Sequence, residues 1–306
     1  MNKREFLNDI IHTDLRELMK KGRKIREDLR DKKVELCSIV SAKTAICSED
    51  CSFCAQSRAR SYPLDYKLLS YDEVLSIVNS YEGRVNRVSL VTSGRTLKKE
   101  FNEILNYYEN LNQEMSLKLC ASHGFLSQEQ FQALKDSGVK RYHCNLESSE
   151  RYFPEVCTSH TFQDKVENIK RAQKVGLEIC SGGIIGMGES FEDRFDMALV
   201  LRDLKVESTP INILLAQKGT KLEGQEILSK EEILRSLLLF RILLPKTSLR
   251  IAAGRGLYPD FDKDILDTGV DALMTGDLLT TTGSDLNRDL DLIESLGYER
   301  MAYGKN

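Results

Sequence analysis

Three cysteines stand within eight residues of one another, in the segment "CSEDCSFC" that holds Cys47, Cys51 and Cys54. Cysteine thiolates bind iron in iron–sulfur clusters, and closely spaced cysteines of one loop can hold one face of a cubane. Zinc is the competing metal, but closed zinc sites pair C-x2-C units with two further ligands, and the nearest histidine, His12, lies far upstream. The spacing therefore favours a cluster with three protein ligands, which leaves one iron open to a substrate or cofactor.

The chain has 306 residues, of which 41% are apolar and 30% charged, and a formal net charge of −3. This balance is typical of a globular protein and does not indicate nucleic acid or an anionic membrane surface as a partner. The first residues lack the apolar core of a signal peptide, and the apolar run 237–245 is too short to span a bilayer. We expect a cytoplasmic protein whose eight cysteines are metal ligands or core residues rather than disulfides.

Short β-like runs alternate with amphipathic helical patterns along the chain, and the runs lie at 34–41, 85–92, 116–122, 140–147, 176–182, 210–216, 248–254 and 271–276. Two of the helical patterns begin with "SQEQ" and "SKEE", which fit capping boxes. Eight such alternations predict an α/β fold, a (β/α)8 TIM-type barrel with an additional N-terminal helix, and a doubly wound open sheet is the alternative. We expect one domain over 1–306, with a helical extension at 1–33 and the barrel at 34–306.

The three-cysteine segment follows the first strand directly, where the functional residues of a barrel cluster. Its pattern, with Phe53 in the aromatic position of C-x3-C-x-aromatic-C, resembles the signature of radical S-adenosylmethionine (SAM) enzymes. That resemblance implies a [4Fe-4S] cluster on Cys47, Cys51 and Cys54. It also implies that the open iron binds SAM, which is cleaved to a 5′-deoxyadenosyl radical.

Further segments narrow the resemblance and cover nearly the whole chain: "YHCNLESS", "CSGGIIGMGES", "PINILL", "LRIAAGR" and "LLTT" occur in the order seen in biotin synthases. Those enzymes insert sulfur into dethiobiotin with two SAM-derived radicals. The resemblance also implies an external electron donor of the flavodoxin or ferredoxin type and a homodimer. One alternative is a related radical SAM mutase or lyase without sulfur insertion, and another is a metal-binding structural or sensory protein without turnover.

The same resemblance assigns roles residue by residue. It implies that the cofactor is contacted by Phe53, Thr92, Asn145, Glu147, Lys165, Gly182, Gly183 and Ile184. For dethiobiotin it implies His143, Asn145, Asn212, Thr280 and Thr281. This chain departs from the family pattern at four positions: Glu147 replaces the common Asp, Lys165 and His160 replace Arg, and His143 replaces Asn. Lysine keeps the charge of arginine but loses its bidentate fork, and His143 is either a donor to substrate or a structural histidine.

A second set of cysteines is expected in the barrel interior. In biotin synthases of the well-known type, three cysteines and an arginine hold an auxiliary [2Fe-2S] cluster. The resemblance matches two of those cysteines to Cys120 and Cys180 and the arginine to Arg250, but Ser89 stands at the third cysteine position. A cysteine that this type lacks, Cys37, stands on the first strand.

Strand parity tests whether Cys37 can replace the lost ligand. Side chains alternate faces along a strand, and each interior layer of a TIM-type barrel takes residues from alternate strands. Cys37, Cys120, Cys180 and Arg250 lie on the first, third, fifth and seventh strands and share one register. Two residues earlier on these strands come Glu35, Lys118, Glu178 and Ser248, which either form a polar layer beneath the cysteines or face water.

We therefore predict an auxiliary cluster on Cys37, Cys120 and Cys180 with Arg250 nearby. The altered ligand set favours a 4Fe cluster, whose fourth iron could carry an exogenous sulfide for insertion, over a [2Fe-2S] cluster. Cys144 is expected to face the helices as a small apolar residue. Cys157 is either a fourth ligand or a loop residue.

Overall fold

The computed structural model describes residues 2–279, 283–302 and 304. Its strands are β1 (Lys33–Thr44), β2 (Lys67–Leu68), β3 (Arg87–Thr92), β4 (Lys118–Ser122), β5 (Arg141–His143), β6 (Glu178–Cys180), β7 (Gly183–Ile185), β8 (Ser208–Ile213), β9 (Ser248–Ile251), β10 (Ala272–Met274) and β11 (Glu299–Arg300). Its α-helices are α1 (Lys3–His12), α2 (Leu15–Arg30), α3 (Tyr71–Tyr81), α4 (Phe101–Glu114), α5 (Gln128–Asp136), α6 (Phe153–Val156), α7 (Phe162–Lys174), α8 (Phe191–Asp203), α9 (Lys230–Leu243), α10 (Phe261–Asp267) and α11 (Leu286–Ser295).

Eight parallel strands close into a barrel. The pairing order is β10-β9-β8-β6-β5-β4-β3-β1, and β1 pairs back to β10 with Cys37 opposite Met274. β6 and β7 are successive parts of the fifth barrel strand, and both pair with β8. The TIM-type barrel predicted from the alternating pattern is thus confirmed, and the open doubly wound sheet is excluded by the closing pair.

The N-terminal extension consists of two helices rather than the one expected. The break falls at Thr13 and Asp14, because the Asp14 side chain caps α2 by accepting hydrogen bonds from the backbone N–H groups of Arg16 and Glu17. α2 packs tightly against the barrel's outer layer: a Cβ on Gly22 would lie 2.2 Å from the carbonyl oxygen of Thr268.

The predicted helix caps are formed, one of them only in part. Ser127 and Gln130 make the full capping box of α5. Ser229 accepts from the N–H of Glu232 as expected, but the Glu232 carboxylate accepts from Arg194 Nη1 at 2.9 Å instead of from Ser229. A tertiary ion pair therefore replaces the second half of this box.

Two kinds of interior follow from the sequence. Between barrel and helices the core is apolar, with fully buried Val88, Leu90 and Ile179, whereas the lumen carries cysteines and charged residues. Among the described residues, no helix is both long and apolar enough to cross a membrane.

Candidate active site and metal centres

The three-cysteine loop, residues 47–56 and below called the cluster loop, follows β1 and is folded around its own thiols. The N–H of Cys47 donates to Gln56 O at 2.7 Å, which closes the loop. Backbone N–H groups of Glu49 and Gln56 lie 3.4 Å from the sulfurs of Cys47 and Cys54, respectively. Such hydrogen bonds favour thiolates and are a feature of iron–sulfur ligation, so this loop fits a cluster.

A distant segment holds the loop in place. Asp50 accepts hydrogen bonds from the N–H groups of Thr158 and Ser159 at 2.9 and 3.1 Å. Burial opposes ionisation of Asp50, but the hydrogen bonds, led by those from Thr158, hold its pKa well below the usual value. Beside it, Glu49 Oε2 lies 2.6 Å from His160 Nδ1 and 3.1 Å from Arg95 Nη1. The sequence did not indicate this network, since its halves lie about a third of the chain apart.

Cys157 belongs to the same network. It is buried after α6, with its sulfur 3.7 Å from Cys51 Sγ, 3.3 Å from His160 Nδ1 and 3.2 Å from Asp50 Oδ1. Ligand atoms of Cys51, Cys157 and His160 lie within 4.8 Å of one another. Cys157 is therefore not a remote loop residue but a direct neighbour of the cluster loop.

The residues expected to contact the cofactor meet at the carboxyl ends of β5 and β6. Asn145 Oδ1 accepts from Gly182 N at 3.0 Å, and Asn145 Nδ2 donates to Glu147 Oε2 at 3.3 Å. Glycine is required at 182, because a Cβ would lie 1.9 Å from Pro210 O, and a Cβ on Gly183 would lie 2.5 Å from Glu147 O. These glycines bring the fifth strand against its neighbours, so packing alone accounts for them.

Three other predicted cofactor residues surround this region. Ile184 is buried on β7, and Phe53 of the cluster loop packs on the apolar core. Lys165 of α7 lies with its Nζ 5.7 Å from the centroid of the Phe125 ring. Burial opposes its charge, but Cys144 and Glu147 nearby raise the pKa of Lys165. It therefore remains a cation near the cluster loop.

Two predicted ligand-binding residues have partners within the protein. Thr92 Oγ1 lies 2.9 Å from His123 Nδ1, and the other ring nitrogen of His123 lies 2.8 Å from the Tyr108 hydroxyl. Asn212 bridges strands, accepting from Ala253 N at 3.3 Å and donating to Gly183 O at 3.4 Å. Their roles toward cofactor and substrate stay predictions, as do those of Thr280 and Thr281, which lie outside the described residues.

The lumen brings the second cysteine set together. Cys37, Cys120 and Cys180 are all buried, and Arg250 Nη1 lies 3.6 Å from Cys180 Sγ. Burial raises the pKa of Cys37 to about 12, and Cys180 and Cys120 add to the shift. Burial acts likewise on Cys180, but His143 and Arg250 outweigh it and lower its pKa to about 6. Three thiols and a guanidinium thus face one space.

The polar layer beneath these cysteines exists, but its members differ from the prediction. Glu35 accepts from Arg87 Nε at 2.7 Å and from Arg250 Nη2 at 2.5 Å, and Glu178 accepts from Arg141 Nε at 2.9 Å. Arg87 also reaches Glu178, at 3.1 Å. Sequence reasoning missed Arg87 and Arg141 because it considered only alternate strands, although each stands two residues before another lumen-facing position.

One of the two remaining residues of the predicted layer, Lys118, lines the same pocket as Glu35 and Glu178, at the amino-terminal ends of the strands. The other, Ser248, is buried and donates to Asp271 Oδ1 at 3.0 Å. Cys144 faces outward as expected, within the apolar core, and accepts from Asn168 Nδ2 of α7 at 3.6 Å.

Comparison with known proteins identifies the family. Residues 42–201 match the model of the radical SAM superfamily, and residues 210–299 match that of the biotin and thiamin synthesis associated domain. A biotin synthase of Clostridium botulinum (strain Langeland) is 46% identical, over 97% of this chain and 94% of its own length. The chain belongs to the biotin synthase family. Another member, from Clostridium perfringens, is 44% identical over 94% of this chain and 91% of its own length.

Solved structures with a similar fold have other activities. Methylornithine synthase superposes with a TM-score of 0.86 at 17% identity, over 97% of this chain and 93% of its own. A maturase of the [FeFe]-hydrogenase gives 0.83 at 15% identity, over 96% of this chain and 71% of its own. At these identities the likeness shows the barrel fold and no more.

Proposed function

We propose that the protein converts dethiobiotin to biotin by inserting sulfur between two carbons, with SAM as the radical source. Family membership supports this, and one observation carries it: Cys37, Cys120 and Cys180 share the barrel lumen with Arg250. A mutase or lyase that adds no sulfur needs no second set of thiols. The alternative considered from the sequence is therefore not favoured.

Membership of the radical SAM superfamily implies a [4Fe-4S] cluster and SAM. Cys47, Cys51 and Cys54 would hold the cluster, since their loop already directs N–H groups to two of the three sulfurs. When bound, the cluster supplies the electron that cleaves SAM to methionine and a 5′-deoxyadenosyl radical. The chain itself binds, orients and shields the reactants rather than supplying acid–base chemistry.

The side chains above the lumen have distinct tasks in this scheme. Asn145 and Glu147 would present an amide and a carboxylate to the adenosyl ribose or the substrate. The hydrogen bond from the Asn145 side chain to the Glu147 carboxylate orients both groups. Lys165 would offer a half-buried cation near the SAM carboxylate. The family resemblance assigns Gly182, Gly183 and Ile184 to the wall along the adenine. The family resemblance assigns Asn212, Thr280 and Thr281 to dethiobiotin, with His143 as a further donor.

The second set of thiols would hold the auxiliary cluster that donates the sulfur. Its ligands are Cys37, Cys120 and Cys180, and the 4Fe type with a further sulfide is proposed in preference to the [2Fe-2S] type. The ligand set supports this, because Ser89 has no thiol to offer and Cys37 adds one on the neighbouring strand. Arg250 supplies positive charge next to Cys180, which suits an anionic cluster.

One assay tests the function. The anaerobically reconstituted protein is incubated with SAM, dithionite and dethiobiotin, and both products are quantified. We expect biotin and 5′-deoxyadenosine together, with iron and acid-labile sulfide for two clusters per chain. Deoxyadenosine without biotin would indicate a mutase or lyase, and neither product would indicate a binding protein.

The remaining features are proposed from the sequence patterns or from the resemblance described above. They are one domain over 1–306, a homodimer, a cytoplasmic location and an electron donor of the flavodoxin or ferredoxin type. Sedimentation analysis of the reconstituted protein tests the dimer, and replacement of dithionite by reduced flavodoxin or ferredoxin tests the donor.

A further inference from the structure

A polar pocket opens at the end of the barrel opposite the cluster loop. It has a volume of about 320 Å³ and lies at the amino-terminal ends of the strands, bordered by the segment that contains Met301 and Ala302. Five basic and three acidic side chains line it: Arg30, Arg87, Lys118, Arg141 and Lys246, and Glu35, Glu178 and Glu207. Arg30 is paired with the buried Asp271 at 3.2 Å, and the basic side chains still outnumber the acidic ones, which favours a small anion as the occupant.

The inner wall of the pocket is the polar layer that lies beneath the cysteines of the lumen. Glu35, Arg87, Arg141 and Glu178 line the pocket, and they are the residues of the polar layer beneath the cysteines. Cys37 and Cys180 follow Glu35 and Glu178 by two residues on the same strands, a rise of about 7 Å. Only one layer of side chains therefore separates the pocket from the auxiliary site.

The layer between the pocket and the cysteines is polar, whereas this level of a barrel is ordinarily filled by apolar side chains. TIM-type lumens are packed with branched apolar residues, and charged groups are costly to bury without partners. Here Arg87 and Arg141 are buried while the Glu178 side chain remains 41% exposed, so the ion-pair network runs from solvent to the cysteines. The Nη1 atoms of Arg87 and Arg141 are buried and have no hydrogen-bond acceptor among the described residues, although Arg141 Nη1 lies 3.6 Å from Glu35 Oε2, an ion pair beyond hydrogen-bond distance. The Nη1 of Arg87 can therefore still donate to an acceptor that enters the pocket, such as a small anion or a water molecule.

We propose that this pocket is an anion-binding entry port for hydrosulfide, through which the auxiliary site is resupplied with sulfur. The proposal rests on the function proposed above, because an enzyme that donates a sulfide from its own cluster must replace it before the next turnover. Entry from this end leaves the SAM and substrate side of the barrel undisturbed. Binding and passage of hydrosulfide move no electrons, so neither step needs an oxidant or a reductant.

The first test detects the anion directly and does not depend on activity. Crystals of the reconstituted protein are soaked in sodium bromide and examined by anomalous diffraction. We expect a bromide peak within hydrogen-bonding distance of Arg87 and Arg141 in the pocket. A pocket without bromide at concentrations that fill other surface sites overturns the proposal.

The second test follows sulfur. After one turnover the enzyme is freed of small molecules and given heavy-isotope sodium sulfide, and the label is measured in its acid-labile sulfide and in the biotin of the next turnover. Lys246→Glu reverses a charge at the pocket mouth, and Lys246→Gln removes it. Lys170→Glu, on the exposed face of α7, is the matched control.

We expect Lys246→Glu to raise the sulfide concentration for half-maximal labelling several-fold, Lys246→Gln to raise it less, and Lys170→Glu to leave it unchanged. The difference between Lys246→Glu and the wild type should shrink with added salt, because salt screens the charge at position 246 over a Debye length of about 10 Å at 0.1 M. If Lys246→Glu and Lys170→Glu need the same sulfide concentration for half-maximal labelling, the pocket is not the entry port for hydrosulfide. If wild-type enzyme makes biotin yet loses no acid-labile sulfide, sulfur donation by the auxiliary cluster is wrong, and the bromide result alone decides whether the pocket binds anions.

Discussion

At the scale of single residues, the fold holds Glu147 in an unusual backbone conformation and His123 in its neutral form. Glu147 has a backbone φ of 73°, in the left-handed region that non-glycine residues rarely adopt. Its carbonyl oxygen accepts from Ile184 N at 2.9 Å, which holds this conformation. Strain kept in this way clusters at functional sites, and here it fixes the direction of a carboxylate proposed to contact ribose or substrate.

His123 gives a prediction about pH. It is fully buried between Thr92 and Tyr108, and burial lowers its pKa to about 3. Below the ordinary histidine pKa of about 6.5, the unfolded chain takes up a proton that the folded chain does not. The free energy of unfolding should therefore fall as the pH drops from about 6.5 towards 3, with His123 contributing up to about 1.4 kcal/mol per pH unit.

Urea unfolding of the reduced, cluster-free chain at a series of pH values measures this slope. His123→Gln should lose the contribution of one proton and give a shallower dependence, whatever its absolute stability. His12→Gln, at an exposed position, should keep the wild-type slope. Identical slopes in all three proteins would show that His123 is not held neutral by burial.

At the scale of elements, contacts between segments decide what each loop and strand can do. The cluster loop depends on the segment after α6, through the carboxylate of Asp50. Asp50→Asn removes the charged acceptor while keeping the size of the side chain. We expect the variant to bind the radical SAM cluster more weakly and to carry less iron after reconstitution at limiting iron.

The measurement is iron per chain together with the visible absorption of the cluster. Asp65→Asn, an exposed change in the adjacent segment, should match the wild type. Full iron loading of Asp50→Asn under the same conditions would show that the charged acceptor at Asp50 is not needed for cluster binding.

Gly182 gives a prediction about packing. A Cβ there would meet the carbonyl oxygen of Pro210 at 1.9 Å, so Gly182→Ala must push the fifth strand away from β8. Overpacking of this kind costs about 1–3 kcal/mol, to be measured by urea denaturation. Gly256→Ala is the control, because a Cβ at 256 would have no neighbour within 4 Å. An equal stability of both variants would contradict the tight contact.

The sequence predicted the elements better than their cross-connections. Strand and helix positions follow from local periodicity, and parity along strands was sufficient to bring Cys37 to Cys120 and Cys180. The bonds from Glu49 to His160 and from Glu35 to Arg87 were not foreseen, because no local pattern relates residues so far apart in the chain. The role of Asn212 as a bridge between strands was also hidden, since an amide serves backbone and ligand equally well.

At the scale of the whole molecule, the two groups of cysteines lie at different depths of the barrel. The cluster loop lies beyond the carboxyl ends of the strands, and the auxiliary thiols lie within the lumen below it. Cys37→Ala should therefore remove one iron–sulfur cluster and leave the other. We expect iron content to fall by about the complement of the auxiliary cluster, biotin formation to be lost, and 5′-deoxyadenosine formation to continue.

Cys144→Ala is the matched control, since it removes a buried thiol that faces the helices, and it should keep both clusters and biotin formation. If Cys37→Ala retained the wild-type iron content, Cys37 would not be a ligand and the proposed auxiliary site would be wrong.

A last consequence concerns β1, which carries Cys37 and leads directly into the cluster loop at Cys47. A shift of this strand by one residue against β3 and β10 would turn Cys37 out of the lumen and displace the loop at the same time. Both proposed metal sites therefore depend on a single strand alignment. If both sites hold clusters as proposed, a chain with a misaligned first strand would load neither of them and would stay colourless.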